Sequence, residues 1–127
     1  MDITRIAPQD RQHIQKYGQS GFTVSGNSFP GAVLVFADQT VEWLARSPDS
    51  LKLEDFGAIF ERSDAVDLCL LGSGKSTVQV PGDLRTALKQ RGLAIEPMDT
   101  GAACRTFNVL LAEGRAVMAA LFVPESD

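Results

Sequence analysis

Four short apolar segments, separated by stretches with helical spacing, constrain this chain more than any other feature. Ala32–Phe36 and Ala116–Val123 are unbroken apolar runs, and Asp67–Leu71 and Leu93–Ile95 are shorter segments of similar character. A strand that is apolar at consecutive positions shows an apolar side chain on both faces, so it needs cover on both. Between them, Leu53, Phe56, Ile59 and Phe60 fall at helical spacing and predict one apolar helix face. Leu84, Ala87 and Leu88 mark a second helix, with Asp83 in its first turn, Lys89 and Arg91 near its end and Gly92 just beyond. A third helix is expected from about Thr100 to Glu113, stopped by Gly114. From residue 30 onward the order β-α-β-α-β-α-β predicts a mostly parallel or mixed central sheet with helices packed on it.

The N-terminal third reads differently. Residues 1–12 are polar and are expected to be a loose segment. Short extended pieces follow, punctuated by Gly18, Gly21 and Gly26, and Phe22 and Val24 alternate with Thr23 as in a half-buried strand. This predicts a small β-layer added to the main sheet. Thr40–Leu44, with Trp43, is expected to pair with Ala32–Phe36 as a hairpin, and Ser47-Pro48-Asp49-Ser50 breaks the pattern.

A chain of 127 residues with 44% apolar content fits one domain with a real core, spanning 1–127. With 16 acidic and 12 basic residues and no basic run, a nucleic-acid surface is not expected. The longest apolar run is far short of the roughly 20 residues that span a bilayer, so an integral membrane protein is not expected either. The start, Met1-Asp2-Ile3-Thr4, has neither a signal-peptide nor a transit-peptide character, and the expected location is cytoplasmic. Cys69 and Cys104 read as reduced thiols, without metal-ligand spacing, and no metal or other cofactor is expected.

Three features bear on chemistry. Gly72-Ser73-Gly74-Lys75-Ser76-Thr77 follows a strand and has the end of a P-loop pattern, but Cys69 stands where the first glycine belongs. Val78-Gln79-Val80-Pro81 then replaces the helix whose N-terminus would hold phosphates. The segment reads instead as a glycine turn at the C-terminal edge of a strand, where open α/β sheets place ligands. In the turn Glu96–Thr100, either Asp99 or Thr100 can cap the third helix. That helix start can do no more than cap, or it can receive a small anion or a partner carboxylate with help from Arg105 or Arg115. In the helix itself, Ala103, Phe107, Leu110 and Leu111 form the core stripe, and Cys104 and Asn108 share an adjacent face. A nucleophilic Cys104 would need a base, and the one histidine, His13, lies in the N-terminal region and reads as solvated. Cys104 therefore reads as structural and Asn108 as a backbone-bonding residue. Trp43 reads as core or a cleft wall, and Met98 as gap-filling.

The run Glu96-x-Met98-x-Thr100-x-x-Ala103-Cys104-x-Thr106-x-Asn108-x-Leu110, followed by Glu113-Gly114-Arg115, resembles the signature of a family of unknown biochemical function. That family includes the mitochondrial complex I assembly factor 3. Leu71-Gly72-Ser73-Gly74, and Gly21-Phe22 through Gly26 to Gly31–Val35, are similar to it as well, so the resemblance covers residues from about 15 to 123. It implies a three-layer α/β fold with an additional small β-layer. In mitochondria the family member works with other assembly factors on a respiratory membrane complex. Without a presequence this chain resembles the stand-alone prokaryotic members, and the family brings no catalytic residues with it.

The expected function is a non-catalytic binding or assembly module, monomeric or weakly homodimeric, with another protein as its partner. The candidate cleft comprises Gly72, Ser73, Gly74, Glu96, Met98, Thr100, Ala103, Cys104, Asn108 and Arg115, roofed by the N-terminal β-layer. The alternative is an enzyme or a carrier of a small anionic ligand that uses the same cleft, with Cys104 or Glu96 in an active role.

Overall fold

The computed structural model describes residues 11–62 and 66–124. Its first unit is a three-stranded antiparallel sheet of β1 (Ile14–Gly18), β2 (Gly21–Val24) and β3 (Asn27–Phe29), in the order β1-β2-β3. The chain then forms the hairpin β4 (Val33–Val35) and β5 (Thr40–Glu42). Two 3-10 turns, Pro48–Ser50 and Leu53–Phe56, lead into the single-turn helix α1 (Gly57–Phe60). The remainder alternates as β6 (Leu68–Gly72), α2 (Gly82–Gln90), β7 (Ala94–Met98), α3 (Thr100–Ala112) and β8 (Val117–Leu121).

The main sheet has the order β5-β4-β8-β6-β7. β6 runs parallel to both β7 and β8, whereas β4 is antiparallel to β8 and to β5. The sheet is thus mixed. The parallel half comes from the helix-linked strands, and the antiparallel half comes from the hairpin, whose tight turn reverses the chain.

Side chains of β8 alternate between two cores. Val117, Ala119 and Leu121 join Val33 and Val35 of β4, Leu70 of β6, and Ala103, Cys104, Phe107 and Leu111 of α3. Ile14, Phe22 and Val24 close that same core, so α3 and the small sheet share one face. Met118, Ala120 and Phe122 face the other way, into a core with Leu34, Phe36, Trp43, Phe56, Ile59, Leu84 and Leu88. The central strands are apolar at successive positions because each face has its own cover. Layering follows: α1 and α2, then the mixed sheet, then α3 with the small sheet.

Three local expectations change. The helix expected over Leu53–Phe60 is split into a 3-10 half, Leu53–Phe56, and an α-helical half, Gly57–Phe60, and the indole N–H of Trp43 donates to the carbonyl of Asp55 at 2.7 Å near the junction. β7 is an edge strand rather than a strand covered on both faces, so its Ala94 and Glu96 are exposed while Ile95 is buried. Of the segment expected to be loose, residues 1–10 lie outside the described residues. Arg11 and Gln12 are held, by Arg11 Nη1 donating to the carbonyl of Leu111 at 3.0 Å and Gln12 N donating to that of Ala37 at 2.8 Å.

Candidate functional site

The C-terminal ends of β6, β7 and β8 meet in a lattice of hydrogen bonds. Thr100, fully buried, donates its hydroxyl to the carbonyl of Phe122 at 2.7 Å and accepts from the N–H of Gly74 at 2.8 Å. The N–H of Thr100 donates to the carbonyl of Gly74 at 2.8 Å, and Phe122 N donates to Gly72 O at 2.8 Å. Ser73 is the other buried polar residue among those described. Its backbone N–H reaches the carbonyl of Met98 at 3.0 Å. Its hydroxyl donates to the carbonyl of Ser76 at 2.6 Å and accepts from Val78 N at 3.0 Å. A side chain on Gly72 would meet Leu121 Cδ2 at 2.8 Å and Thr100 Cα at 3.0 Å, so β8 and α3 close on β6 only past a glycine. Gly74 has φ +104°, which fixes the turn out of the strand. Backbone groups of Gly72, Ser73, Gly74, Ser76 and Val78 are thus engaged in the chain's own turn, and no helix follows it before Gly82.

At the start of α3 the cap is Asp99, which accepts from Ala102 N at 2.9 Å. Ala103 N donates to the carbonyl of Asp99 at 3.0 Å. The Tyr17 ring and the Arg105 guanidinium lie over Gly101, with Arg105 Nη1 donating to the Tyr17 hydroxyl at 2.9 Å. Cys104 is buried beside Ala103 in the core, and burial pushes its thiol up to about 12; Arg105 opposes the rise and Asp99 adds to it. Such a thiol stays protonated and is a poor nucleophile. Asn108 binds both backbone groups of Ile14, accepting from its N–H at 3.0 Å and donating to its carbonyl at 3.0 Å.

The sequence-derived set therefore separates. Gly72, Ser73, Gly74, Met98 and Thr100 come together at the strand ends. Ala103 and Cys104 are core, and Glu96 is exposed on the edge strand. Arg115 lies beyond the other end of the 13-residue α3, roughly 20 Å along the helix axis from Thr100 at 1.5 Å per residue. Its own N–H caps that end by donating to Leu110 O at 3.0 Å.

Next to the lattice lies an open cleft of about 920 Å³. Ser73, Gly74, Lys75, Ser76 and Val78 form one wall, and residues 45–49 form another. Its floor is Trp43 against Phe122, with ring centroids 4.7 Å apart, and Val123 and Pro124 continue it. Gln19 of the small sheet's first turn and Pro30–Ala32 border the remaining side. Only Ser73 and Gly74 of the sequence-derived set line it. The segments around Trp43 and Phe122 are distant in sequence and meet here because β8 pairs with β4. In sequence Trp43 reads as core or a cleft wall, and it is both buried and part of the cleft lining.

Among the described residues, no helix is long and apolar enough to cross a membrane, and no group of His, Cys, Asp and Glu could hold a metal ion.

Comparison with known proteins gives the lineage. The rat NADH dehydrogenase [ubiquinone] 1 alpha subcomplex assembly factor 3 is 32% identical over 91% of this chain. The chain spans only 62% of that relative's length. An uncharacterized Rhodobacter capsulatus protein is 35% identical over 85% of this chain and 82% of its own. Among solved structures, a Bartonella henselae chain described as an outer membrane protein superposes with a TM-score of 0.82 at 36% identity, covering 92% of this chain and 98% of that one. A Bordetella pertussis Mth938-like domain, at 23% identity and a TM-score of 0.76 over 100% of this chain and 92% of its own, shows the fold alone. The family model described as "Protein of unknown function (DUF498/DUF598)" matches residues 14–122, and the chain belongs to that family.

Proposed function

We propose that the chain is a non-catalytic assembly module that holds a segment of a partner protein in the cleft between residues 45–49 and 73–78. The observation that carries this reading is the cleft's construction. An aromatic floor, Trp43 on Phe122, is flanked by polar walls and anchored to the strand ends by buried Thr100 and Ser73. A preformed apolar floor with a polar rim suits an apolar side chain of a partner whose backbone lies along the rim. The relatives' names as complex I assembly factors support a protein partner, and a subunit or assembly factor of a respiratory membrane complex is the class of partner proposed. In this reading Gly72, Met98 and Thr100 set the cleft's shape from behind, and Asn108 and Arg115 stabilise α3.

The test is comparative capture. The tagged chain is purified from its own cells beside a variant with Ser76→Arg and Asp49→Arg, two exposed cleft positions. The variant should keep the native circular dichroism spectrum and lose the partner seen with the unsubstituted chain. Equal recovery of the partner by both proteins contradicts the assignment.

A further inference from the structure

The two edges of the main sheet are treated differently. β7 is blunted: Pro97 offers no N–H, and Arg85 Nη1 caps the carbonyl of Ile95 at 2.9 Å. β5 has no such protection. Trp43 N donates to the carbonyl of Ala32 and Phe36 N to that of Gln39, so the backbone of residues 39, 41 and 43 faces β4. Glu42 and Leu44 then turn their N–H and C=O groups outward, and neither N–H has a hydrogen-bond partner among the described residues.

The extended run continues past the strand's formal end. Val41, Trp43 and Ala45 pack into the core while Glu42, Leu44 and Arg46 are exposed, which is strict two-residue alternation. No turn or bend interrupts residues 43–47, and Ser47 is itself extended at φ −159°, ψ 144°. Leu44 is 88% exposed, the most exposed large apolar residue among those described. Glu42 and Arg46 form no ion pair among the described residues.

From this pattern we infer that β5 pairs with the β5 of a second copy of the chain, antiparallel, about a two-fold axis through Leu44. An acid, a leucine and a base at alternate positions are self-complementary only when read antiparallel. Leu44 then exchanges both backbone hydrogen bonds with its symmetry mate. Glu42 of each copy faces Arg46 of the other, and the two leucines cover one another. Any register that sets Glu42 against Glu42 opposes like charges. The two main sheets join into one ten-stranded sheet, five strands from each copy. One pair of short strands buries less than the roughly 1,200 Å² of a stable interface, so the dimer is weak and reversible. Arg46 also lines the cleft, whereas Glu42 and Leu44 do not, so Glu42→Arg and Leu44→Lys test the seam apart from the cleft.

Sedimentation equilibrium over roughly 10 µM to 1 mM, the range suited to an interface of this size, tests the seam directly. The chain should pass from monomer to dimer, and the Leu44 amide should gain exchange protection as concentration rises. Glu42→Arg and Arg46→Glu should each weaken the dimer about tenfold, since each creates two like-charged cross-strand pairs. The double exchange E42R/R46E should restore it. Leu44→Lys, at a position too exposed to affect folding, should leave the protein folded and monomeric. A monomer at 1 mM, a dimer indifferent to Leu44→Lys, or failure of the double exchange to restore what the single ones lose would overturn the seam.

Discussion

The amide of Asn108 clips the first strand of the small sheet to α3 by holding both the N–H and the carbonyl of Ile14, each at 3.0 Å. One side chain thus fixes the register of β1 against a helix 94 residues away in sequence. Asn108→Ala should cost about 1–3 kcal/mol, the range for two lost hydrogen bonds at a half-buried site. The loss should be concentrated in β1–β3, visible as faster amide exchange there while β6 and β8 keep their protection. Uniform loss of protection across both sheets would show that the clip is not local.

Thr100 is the keystone of the strand ends. Thr100→Val keeps the shape but strands the N–H of Gly74 and the carbonyl of Phe122, both bonded to the hydroxyl in the native protein. The expected cost is about 2–4 kcal/mol in urea unfolding. Thr100→Ser, which keeps the hydroxyl and loses one buried methyl, should cost about 1 kcal/mol. A smaller loss for Thr100→Val, which keeps the methyl, than for Thr100→Ser would mean that the methyl, not the lattice, matters.

Gly72→Ala should cost about 1–3 kcal/mol by overpacking, because the new methyl would stand 2.8 Å from Leu121 Cδ2 and 3.0 Å from Thr100 Cα. A cavity-making second change, Leu121→Ala, should recover part of that loss in the double variant, and thermal unfolding of the three variants checks it. Strict additivity would place the strain elsewhere.

The two cysteines predict an alkaline signature. Burial raises both Cys69 and Cys104 from 9.0 to about 12. The unfolded chain therefore releases these protons first, the folded state holds more protons between about pH 9 and pH 12, and stability falls as pH rises through that window. Below pH 9 the contribution is fully present. The slope is at most about 1.4 kcal/mol per pH unit for each thiol. A Cys69→Ala/Cys104→Ala variant should lose that part of the slope, and Cys104 should resist alkylation at neutral pH. Identical slopes in the two proteins, or fast labelling of folded Cys104, would contradict the burial account.

Much of the fold was legible because covered strands leave a plain mark. The runs Ala32–Phe36 and Ala116–Val123 are apolar at every position, and β4 and β8 do carry a core on each face. Strand direction was less legible, since hydrophobic pattern records burial and not polarity; the hairpin turn at Ala37–Gln39 was the sign that part of the sheet had to be antiparallel. β7 misleads in sequence: Leu93–Ile95 suggests a covered strand followed by a turn, whereas Glu96 belongs to the strand and is exposed at the sheet edge. Of the ten candidate residues, only Ser73 and Gly74 line the cleft. Glycines and small polar residues at strand ends identify Ser73 and Gly74, but pairing Arg115 with Thr100 ignored the length of the helix between them. Lys75, Ser76 and Val78 follow Ser73 and Gly74 in sequence, but residues 43–49 and 122–124 are brought there by β4–β5 and β4–β8 pairing, which no local pattern encodes.

The central claim, that the cleft is where a partner protein sits, is tested most directly by site-specific photocrosslinking in living cells. A photoreactive residue at Ser76, on the cleft wall, is compared with one at Lys89, exposed on α2 and away from the cleft. The account predicts one discrete protein adduct from Ser76, abolished by Asp49→Arg, and none from Lys89. An adduct from Lys89 with none from Ser76 would contradict it.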